Sequence, residues 1–536
     1  MPDTLIHNAN IRTMDAGRPR ATWLLIRGDR IAALGSGLPP DAATRIDAGG
    51  RLVLPGFQDA HVHLLSGGTD LATAAQLYEV QTIAALQAAV ADHAANHPGL
   101  ALVMGSGWQP GMFGDDNLTA AVIDAVVPGR PAVLFDSSFH NACLNSASMR
   151  LAGLVAGMPD PANGHFVTDA AGKPTGMLHE DAVPWAMARL PELAAGDHRA
   201  GLLAGMAHAN RNGITGILDP RITDHEAGIY GALAAEGGLT LWVAGAALVK
   251  PDDSPAEALA RLGDYRSRYP GPEFHVQSAK FFMDGVFENR TAALLAPYAD
   301  IGGNSEPMFG LAQTEALMVA LDAARFQIHV HVIGDAATRR ALDGLAAARA
   351  ANGAWPSLPQ LAHLQLTDPA DHARLSELGV MANIQPLWAR LDPVVPDIAL
   401  DMIGADRLGD TYAFRKMIDA GARYCLSSDW PVSTLNPFEI IETAVTRQAR
   451  SMDSPREPFL PDQAMTVEQC VFGYTAEAAA ACWRASFTGQ LRPGFSADLI
   501  LLDQDIFGCA PDRISETRVS LTIFRGRIIH QAAAFG

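Results

Sequence analysis

The middle of the chain alternates short apolar segments with alanine-rich segments of helical pattern, and this alternation limits the possible folds more than any other feature. Such alternation is typical of βα units, which build parallel sheets. Eight candidate strands lie at residues 56–63, 214–219, 241–246, 276–283, 327–333, 360–364, 380–384 and 423–428. They predict an α/β fold, a TIM-like (β/α)8 barrel with its chemistry at the carboxyl ends of the strands.

Both ends of the chain differ from this middle. Residues 1–55 and 486–536 contain short segments that alternate apolar and polar residues, such as TWLLIRGDRIAALG and RVSLTIFRGRIIHQ. We predict that both ends form one composite β-sandwich beside a barrel at 56–485; two unrelated edge hairpins are the alternative. Residues 66–205 are too many for one helix, so we predict a large inserted subdomain there, with loops that shape a substrate pocket.

Composition and charge exclude several classes of protein. Hydrophobic residues make up 49% of the 536 residues and charged residues 18%, as in a globular chain. The net charge of −19, without a run of Lys or Arg, disfavours nucleic acid or an anionic membrane as partner and leaves a small-molecule substrate. The five cysteines form no CxxC pair, and neither a signal peptide nor an apolar stretch of membrane-spanning length is found, so we expect a cytoplasmic protein.

A pair of histidines stands at the end of the first candidate strand, in GFQDAHVH. Residues two apart in a strand face the same side, so His61 and His63 are both expected to point inward. Two imidazoles so placed can bind one divalent ion. Alone, the HxH pattern is weak, because two hydrogen-bonded histidines would also satisfy it.

Later strands end in similar residues. His331 lies closest to the end of QIHVH, whereas His329 is expected one layer deeper, as a core or supporting residue. His363 lies in the next strand, and Asp429 follows RYCLSS. Asp429 suits a carboxylate that binds a metal and moves a proton, although a cap or turn residue is the plain alternative. Together these positions predict a metal centre.

Lys280 stands inside the apolar strand AKFFMDG, where a cation is costly to bury. One interpretation is a buried ion pair with Asp284 or Glu288. The other is that carbon dioxide has carboxylated the amine, which yields an anion able to bridge two metals. Because Lys280 lies between the two histidine clusters, we favour the bridging role.

Several segments together resemble the amidohydrolase superfamily, specifically the amidohydrolase-3 branch of metal-dependent hydrolases that are similar to N-substituted formamide deformylase. They are LPGFQDAHVH, DSSFHNACLNSASMRLAGL, GKPTGMLHEDA, AKFFMDGVFENRTAALLAPYAD, HVHVIGDAA, SSDWPVSTLNPFEII and GQLRPGFSADLILLD. The resemblance implies a TIM-like barrel with a composite β-sandwich. It also implies metal ligands at His61, His63, carboxylated Lys280, His331, His363 and Asp429, with Asp429 as catalytic acid and base. The bulky Val286, Phe287 and Glu288 depart from the small residues usual there and put the substrate contacts of that loop in doubt.

These features predict a hydrolase of an amide-type C–N bond, in which a metal-bound hydroxide attacks the carbonyl and Asp429 carries the proton to the leaving nitrogen. The metal is expected to be one or two divalent ions. The ligand types fit Zn²⁺, Mn²⁺ or Fe²⁺ without choosing among them, and Zn²⁺ is the ion we expect. Expected substrate contacts are Trp108, His140, Glu288 and Arg290. A packing or loop role would also explain the first two, and a salt bridge the last two. The alternatives are a deaminase of a cyclic or aromatic amine, an ester, lactam or carbamate hydrolase on the same site, and a non-enzymatic relative. A homodimer is expected by analogy.

Overall fold

The computed structural model describes residues 3–113, 117–391, 402–449, 457–533 and 535. The strands are β1 (Thr4–His7), β2 (Asn10–Arg12), β3 (Arg20–Ala21), β4 (Trp23–Arg27), β5 (Arg30–Gly35), β6 (Thr44–Asp47), β7 (Leu52–Pro55), β8 (Phe57–Asp59), β9 (Ala74–Gln76), β10 (Val103–Trp108), β11 (Ala132–Asp136), β12 (Asn141–Leu144), β13 (Gly164–Thr168), β14 (Pro174–Glu180), β15 (Ile214–Ile222), β16 (Trp242–Leu248), β17 (Phe274–Phe282), β18 (Gln327–Val332), β19 (Gln360–His363), β20 (Met381–Ile384), β21 (Arg423–Leu426), β22 (Leu499–Leu502), β23 (Val519–Phe524) and β24 (Arg527–Gln531). The helices are α1 (Leu64–Thr73), α2 (Ile83–Asn96), α3 (Ala120–Asp124), α4 (Ser146–Ala152), α5 (Ala182–Met187), α6 (Ala195–Arg211), α7 (Asp224–Ala235), α8 (Pro255–Arg268), α9 (Leu311–Ala323), α10 (Asp335–Asn352), α11 (Pro369–Glu377), α12 (Phe414–Asp419), α13 (Pro437–Thr446), α14 (Val467–Phe472) and α15 (Ala478–Ala481).

Eight parallel strands form the barrel, in the order β21-β20-β19-β18-β17-β16-β15-β8. Strands of this kind are covered on both faces, which explains their almost uninterrupted apolar sequences. In β18 and β19 every residue is buried, including the polar ones. The predicted fold class, a TIM-like barrel with a composite sheet domain and a large insertion, is confirmed.

Local capping signals mark where the outer helices begin. The Thr223 and Ser254 side chains each accept a hydrogen bond from the first turn of the following helix, and their own backbone N–H groups donate to the Glu226 and Glu257 carboxylates. These capping boxes satisfy amide groups that would otherwise lack partners. Pro255 then stands at the first position of α8, where its missing N–H costs nothing. The helices therefore begin soon after β15 and β16 end.

The two ends of the chain share one core. β22, near the end of the sequence, pairs antiparallel with β7 in a sheet of order β24-β23-β22-β7-β2-β3. A second sheet, β5-β4-β1-β6, comes entirely from the first residues. Buried apolar side chains of both sheets pack together, among them Ile6, Leu24, Val53, Leu499 and Leu521. Neither end can bury its apolar face alone.

The chain divides into two compact units. One comprises Met1–His63, Met206–Trp430 and Thr434–Gly536, and the other Leu64–Gly205 with Pro431–Ser433. The second unit has its own sheet, in which β9, β10 and β11 are parallel and β12, β14 and β13 continue antiparallel. Within the described ranges, no helix combines the length and the apolar content needed to cross a membrane.

Candidate metal centre

The first and last barrel strands meet at their carboxyl ends. The Asp429 N–H donates to the His61 carbonyl at 2.8 Å, and the His63 N–H donates to the Trp430 carbonyl at 2.9 Å. The strand β8 itself ends at Asp59, so both histidines lie just beyond it rather than within it. These backbone bonds bring two histidines and one aspartate from opposite ends of the sequence to the same point.

The Asp59 carboxylate strengthens this junction. It accepts hydrogen bonds from the His61 N–H at 3.1 Å and from the Ser428 N–H at 3.1 and 3.2 Å. Asp59 is fully buried, and burial raises the pKa of its carboxyl group to about 7 in spite of these hydrogen bonds. Asp59 therefore ties the two loops that carry the histidines and Asp429.

The Asp429 carboxylate lies among three imidazoles. Its Oδ1 is 3.4 Å from His61 Nε2 and 3.4 Å from His63 Nε2, and its Oδ2 is 3.9 Å from His363 Nδ1. One ligand atom each from His61, His363 and Asp429 lies within 4.8 Å of the others. A single small cation can contact all three atoms, and imidazole with carboxylate is a donor set that suits divalent ions.

His331 joins this group from the neighbouring strand. Its ring centroid lies 4.5 Å from that of His363. Its Nδ1 is 3.4 Å from the Asp284 carboxylate, which also accepts the N–H groups of Ile333 and Gly334. Gly334 is required in this turn, because a Cβ there would lie 2.0 Å from the Ala293 carbonyl oxygen. Asp284 thus holds both His331 and the turn after its strand.

Lys280 is fully buried in β17, and its Nζ has no hydrogen-bond partner within the part of the chain that the structure describes. Neither Asp284 nor Glu288 pairs with it, so the ion pair considered from the sequence is absent. Burial lowers the pKa of the Lys280 ammonium to about 7, against an opposing effect of the Asp429 charge. A buried amine without a partner is rare and costly unless another group completes it.

Burial also keeps the histidines neutral. It lowers the pKa of His61 well below its ordinary value, with a further contribution from the Lys280 charge. Burial likewise lowers the pKa of His363, with a contribution from His331. Metal ions bind the neutral imidazole through its lone pair. The residues present therefore fit a divalent ion in both their donor atoms and their protonation.

Two of these residues have a strained backbone. His363 has φ = +83° and Asp429 has φ = +57°, in the left-handed region that residues with a Cβ seldom adopt. Such conformations cost on the order of 1–3 kcal/mol each and persist where the surroundings impose them. Here the strain turns both side chains into the cluster as their strands end.

The four expected substrate contacts lie in two places. Trp108 and His140 belong to the inserted unit: Trp108 is buried and donates its Nε1–H to the Leu134 carbonyl, and His140 Nδ1 lies 2.7 Å from Glu180 Oε2. A substrate contact for either residue stays a prediction.

Glu288 and Arg290 follow β17 in one turn. Glu288 is exposed, and Arg290 forms an ion pair with Asp300 at 2.6 Å. Phe287, one of the residues that depart from the family pattern, is buried in an apolar cluster with Tyr298 and Ile333. The bulky residue at 287 thus fills space beneath the loop. Substrate contacts by Glu288 and Arg290 also stay predictions.

Sequence reasoning missed several residues that support the site. In the sequence, Asp59 stands out only as part of the histidine motif GFQDAHVH. Asn383 donates a hydrogen bond to the Ala60 carbonyl at 2.9 Å. The Trp388 ring contacts the His363 ring in a tilted arrangement, with ring centroids 5.9 Å apart. A usable signal existed for Asn383, since a polar residue within a fully buried strand must have a partner.

A TIM-like barrel with histidines, an aspartate and a buried lysine at the strand ends defines a metal-binding enzyme of the hydrolase type. Residues 44–530 match the sequence profile described as "Amidohydrolase family". The chain belongs to that family, and it is an amidohydrolase.

The chain is also similar to individual relatives and to a solved structure. The chain is 28% identical to N-substituted formamide deformylase of Arthrobacter pascens, over 98% of each chain. It is 27% identical to Protein LONG AFTER FAR-RED 3 of Arabidopsis thaliana, over 93% of this chain and 87% of the relative. A solved structure of an uncharacterized metal-dependent hydrolase from Pyrococcus horikoshii has the same fold, with a TM-score of 0.75 at 21% identity, covering 95% of this chain and 99% of that one.

Proposed function

We propose that the protein hydrolyses an amide-type C–N bond of a small molecule at a divalent metal centre. His61, His63, His331, His363 and Asp429 would hold the metal together with carboxylated Lys280. The observation that carries the proposal is the buried Lys280 amine beside this cluster, which has no hydrogen-bond partner among the residues described. The similarity to N-substituted formamide deformylase over nearly the whole chain supports an N-acyl substrate.

Carboxylation of Lys280 accounts for its position. The uncharged amine forms an N–C bond to carbon dioxide as one C=O π bond opens, and it releases one proton to water. A buried neutral amine thereby becomes an anion with two oxygen ligands. Burial favours the uncharged amine that this reaction needs. The product would neutralise part of the charge of one or two divalent ions, among which we expect Zn²⁺.

The metal, when bound, would supply a water of lowered pKa and would polarise the substrate carbonyl. Asp429 would take the water proton and deliver it to the leaving nitrogen, which releases the amine and the acid. Its Oδ1 lies 3.4 Å from two of the proposed ligands, so its carboxylate is within reach of groups bound there. His61 and His363, kept neutral by burial, would orient the reacting groups without competing for the proton.

Lys280→Ala tests the proposal. We expect the variant to lose metal and activity towards N-benzylformamide, and to recover part of both when propionate is added, because a free carboxylate can occupy the vacated position. Metal content is measured by elemental analysis and amine release by chromatography. Lys416→Ala, which removes a surface lysine paired with Asp410, is the matched control. It should keep its metal content and its activity, with or without propionate. A Lys280→Ala protein that keeps its full metal content and activity would disprove the bridging role.

A deaminase remains the second candidate on the same barrel. A bridging lysine speaks against it, because such enzymes usually use one metal without that ligand. Release of ammonia from an aminated ring, without release of an acid from any N-acyl amine, would favour the deaminase.

A further inference from the structure

His329 contacts one of the proposed ligands directly. It lies in β18, fully buried, and in register with Lys280 of the neighbouring strand. Its Nε2 is 2.9 Å from Nδ1 of His61, and the two ring centroids are 4.9 Å apart. This is a hydrogen bond between two imidazoles, so one of the two nitrogens must carry the proton.

When a metal is bound, the contacts of His61 Nε2 determine which of the two bonded nitrogens carries the proton. His61 Nε2 faces Asp429 Oδ1 at 3.4 Å, inside the cluster, whereas Nδ1 faces away from it towards His329. A neutral histidine that gives its Nε2 lone pair to a metal keeps its proton on Nδ1. His61 must then donate through Nδ1, and His329 Nε2 must accept.

We infer that His329 is a positioning residue, which accepts the Nδ1–H bond of His61 and so holds that ring in the tautomer and orientation needed for metal binding. The inference rests on the proposed metal centre. His329 carries its own proton on Nδ1, for which the described part of the chain offers no acceptor. A buried N–H without a partner destabilises the folded state, so packing alone does not account for a histidine at this position.

Substitutions at position 329 distinguish a hydrogen-bond acceptor for His61 from a residue that only fills space. A glutamine places its carbonyl oxygen near the position of the histidine Nε2, so His329→Gln can still accept the bond. An asparagine is one carbon shorter and does not reach His61, and a leucine cannot accept at all. Loss of such a partner typically weakens metal binding by about 10–100-fold.

The test measures Zn²⁺ affinity by competition with a fluorescent chelator, using the metal-stripped full-length protein. We expect His329→Leu and His329→Asn to bind Zn²⁺ about 10–100-fold more weakly than the wild type, and His329→Gln to stay within about threefold. His372→Leu is the matched control, because His372 is another buried histidine, in helix α11, and its Nε2 bonds to Thr367 Oγ1 at 2.9 Å instead. It should lower the melting temperature and leave the affinity unchanged.

Each result bears on the inference. Unchanged affinity in His329→Leu, or an equal loss in His329→Gln and His329→Asn, would overturn it. If the leucine variant does not fold, the comparison of glutamine with asparagine gives the same decision. A wild-type protein that binds no Zn²⁺, Mn²⁺ or Fe²⁺ would overturn the proposed function, and the role of His329 with it. Tight metal binding by the wild type and by all three His329 variants would overturn only the role of His329.

Discussion

Asp429 is the residue on which the hydrogen bonds and close contacts of the metal centre converge. Its N–H closes the barrel onto the His61 carbonyl, its carboxylate lies between three histidines, and its left-handed backbone turns the side chain inward. In the sequence it is only an aspartate after an apolar run, which a turn would explain equally well. Its position after the strand makes it a candidate and the family resemblance implies the same role, whereas its geometry comes from the contact between the first and last strands.

Asp429→Asn is expected to lower kcat by about 10²-fold or more, because the amide keeps the shape of the side chain and cannot accept the proton. Amine release from N-benzylformamide measures the rate, and elemental analysis shows whether metal remains. Asp419→Asn, on the surface beside Arg415, is the control and should behave as the wild type. An asparagine variant that turns over at the wild-type rate would assign the proton transfer to another group.

The barrel strands show which features of single elements can be predicted from sequence patterns. All eight predicted strands are present, with ends that differ by a few residues, because buried parallel strands leave a plain apolar signature. The largest difference lies at β8, which ends at Asp59. Beyond it, the His61 N–H donates to the Asp59 side chain and the His63 N–H donates to the Trp430 carbonyl. Local alternation cannot reveal such tertiary bonds.

Helix α1 of the inserted unit carries a titratable group whose effect on stability depends on pH. Burial raises the pKa of Asp70 to about 7, with a smaller opposing effect of the Ser106 hydroxyl. The unfolded chain ionises Asp70 near pH 3.9, so between about pH 4 and 7 the folded protein holds more protons than the unfolded one. The free energy of unfolding therefore falls as the pH rises through this window.

Asp70→Asn should remove this part of the pH dependence, because an amide does not ionise. We expect the difference in melting temperature between the variant and the wild type (variant minus wild type) to be larger at pH 7 than at pH 5. Thermal unfolding followed by circular dichroism at both pH values measures this difference. Asp92→Asn, at an exposed position of α2, is the control and should show none. The same relative melting temperature at both pH values would contradict the assignment.

At the scale of the whole molecule, distant parts of the chain are joined twice. β7 and β22, from opposite ends, pair in one sheet, and the proposed ligands come from the ends of β8, β17, β18, β19 and β21. A metal held by these ligands would connect five of the eight barrel strands. A ligand that binds only the folded state stabilises it by about 4 kcal/mol at a thousandfold excess over its Kd.

Removal of metal by a chelator is therefore expected to lower the melting temperature by several degrees, and re-addition of Zn²⁺ should restore it. Differential scanning calorimetry of the stripped and reloaded protein measures the shift. Lys280→Ala should show a smaller shift, since it lacks one proposed ligand. Identical melting curves with and without metal would indicate that no ion links these strands.

The class of the fold could be predicted from local patterns, because buried parallel strands, capped helices and alternating terminal strands each have a signature in the sequence. The sequence also indicated the chemistry-bearing residue types at the strand ends and, through the family resemblance, named them as ligands. The three-dimensional arrangement was needed to show that Lys280 has no ion-pair partner among the described residues, that Asp59 connects the loop of the histidines with the loop of Asp429, and that His329 bonds to His61. These relations depend on distances between residues up to several hundred positions apart, which are established only when the barrel closes.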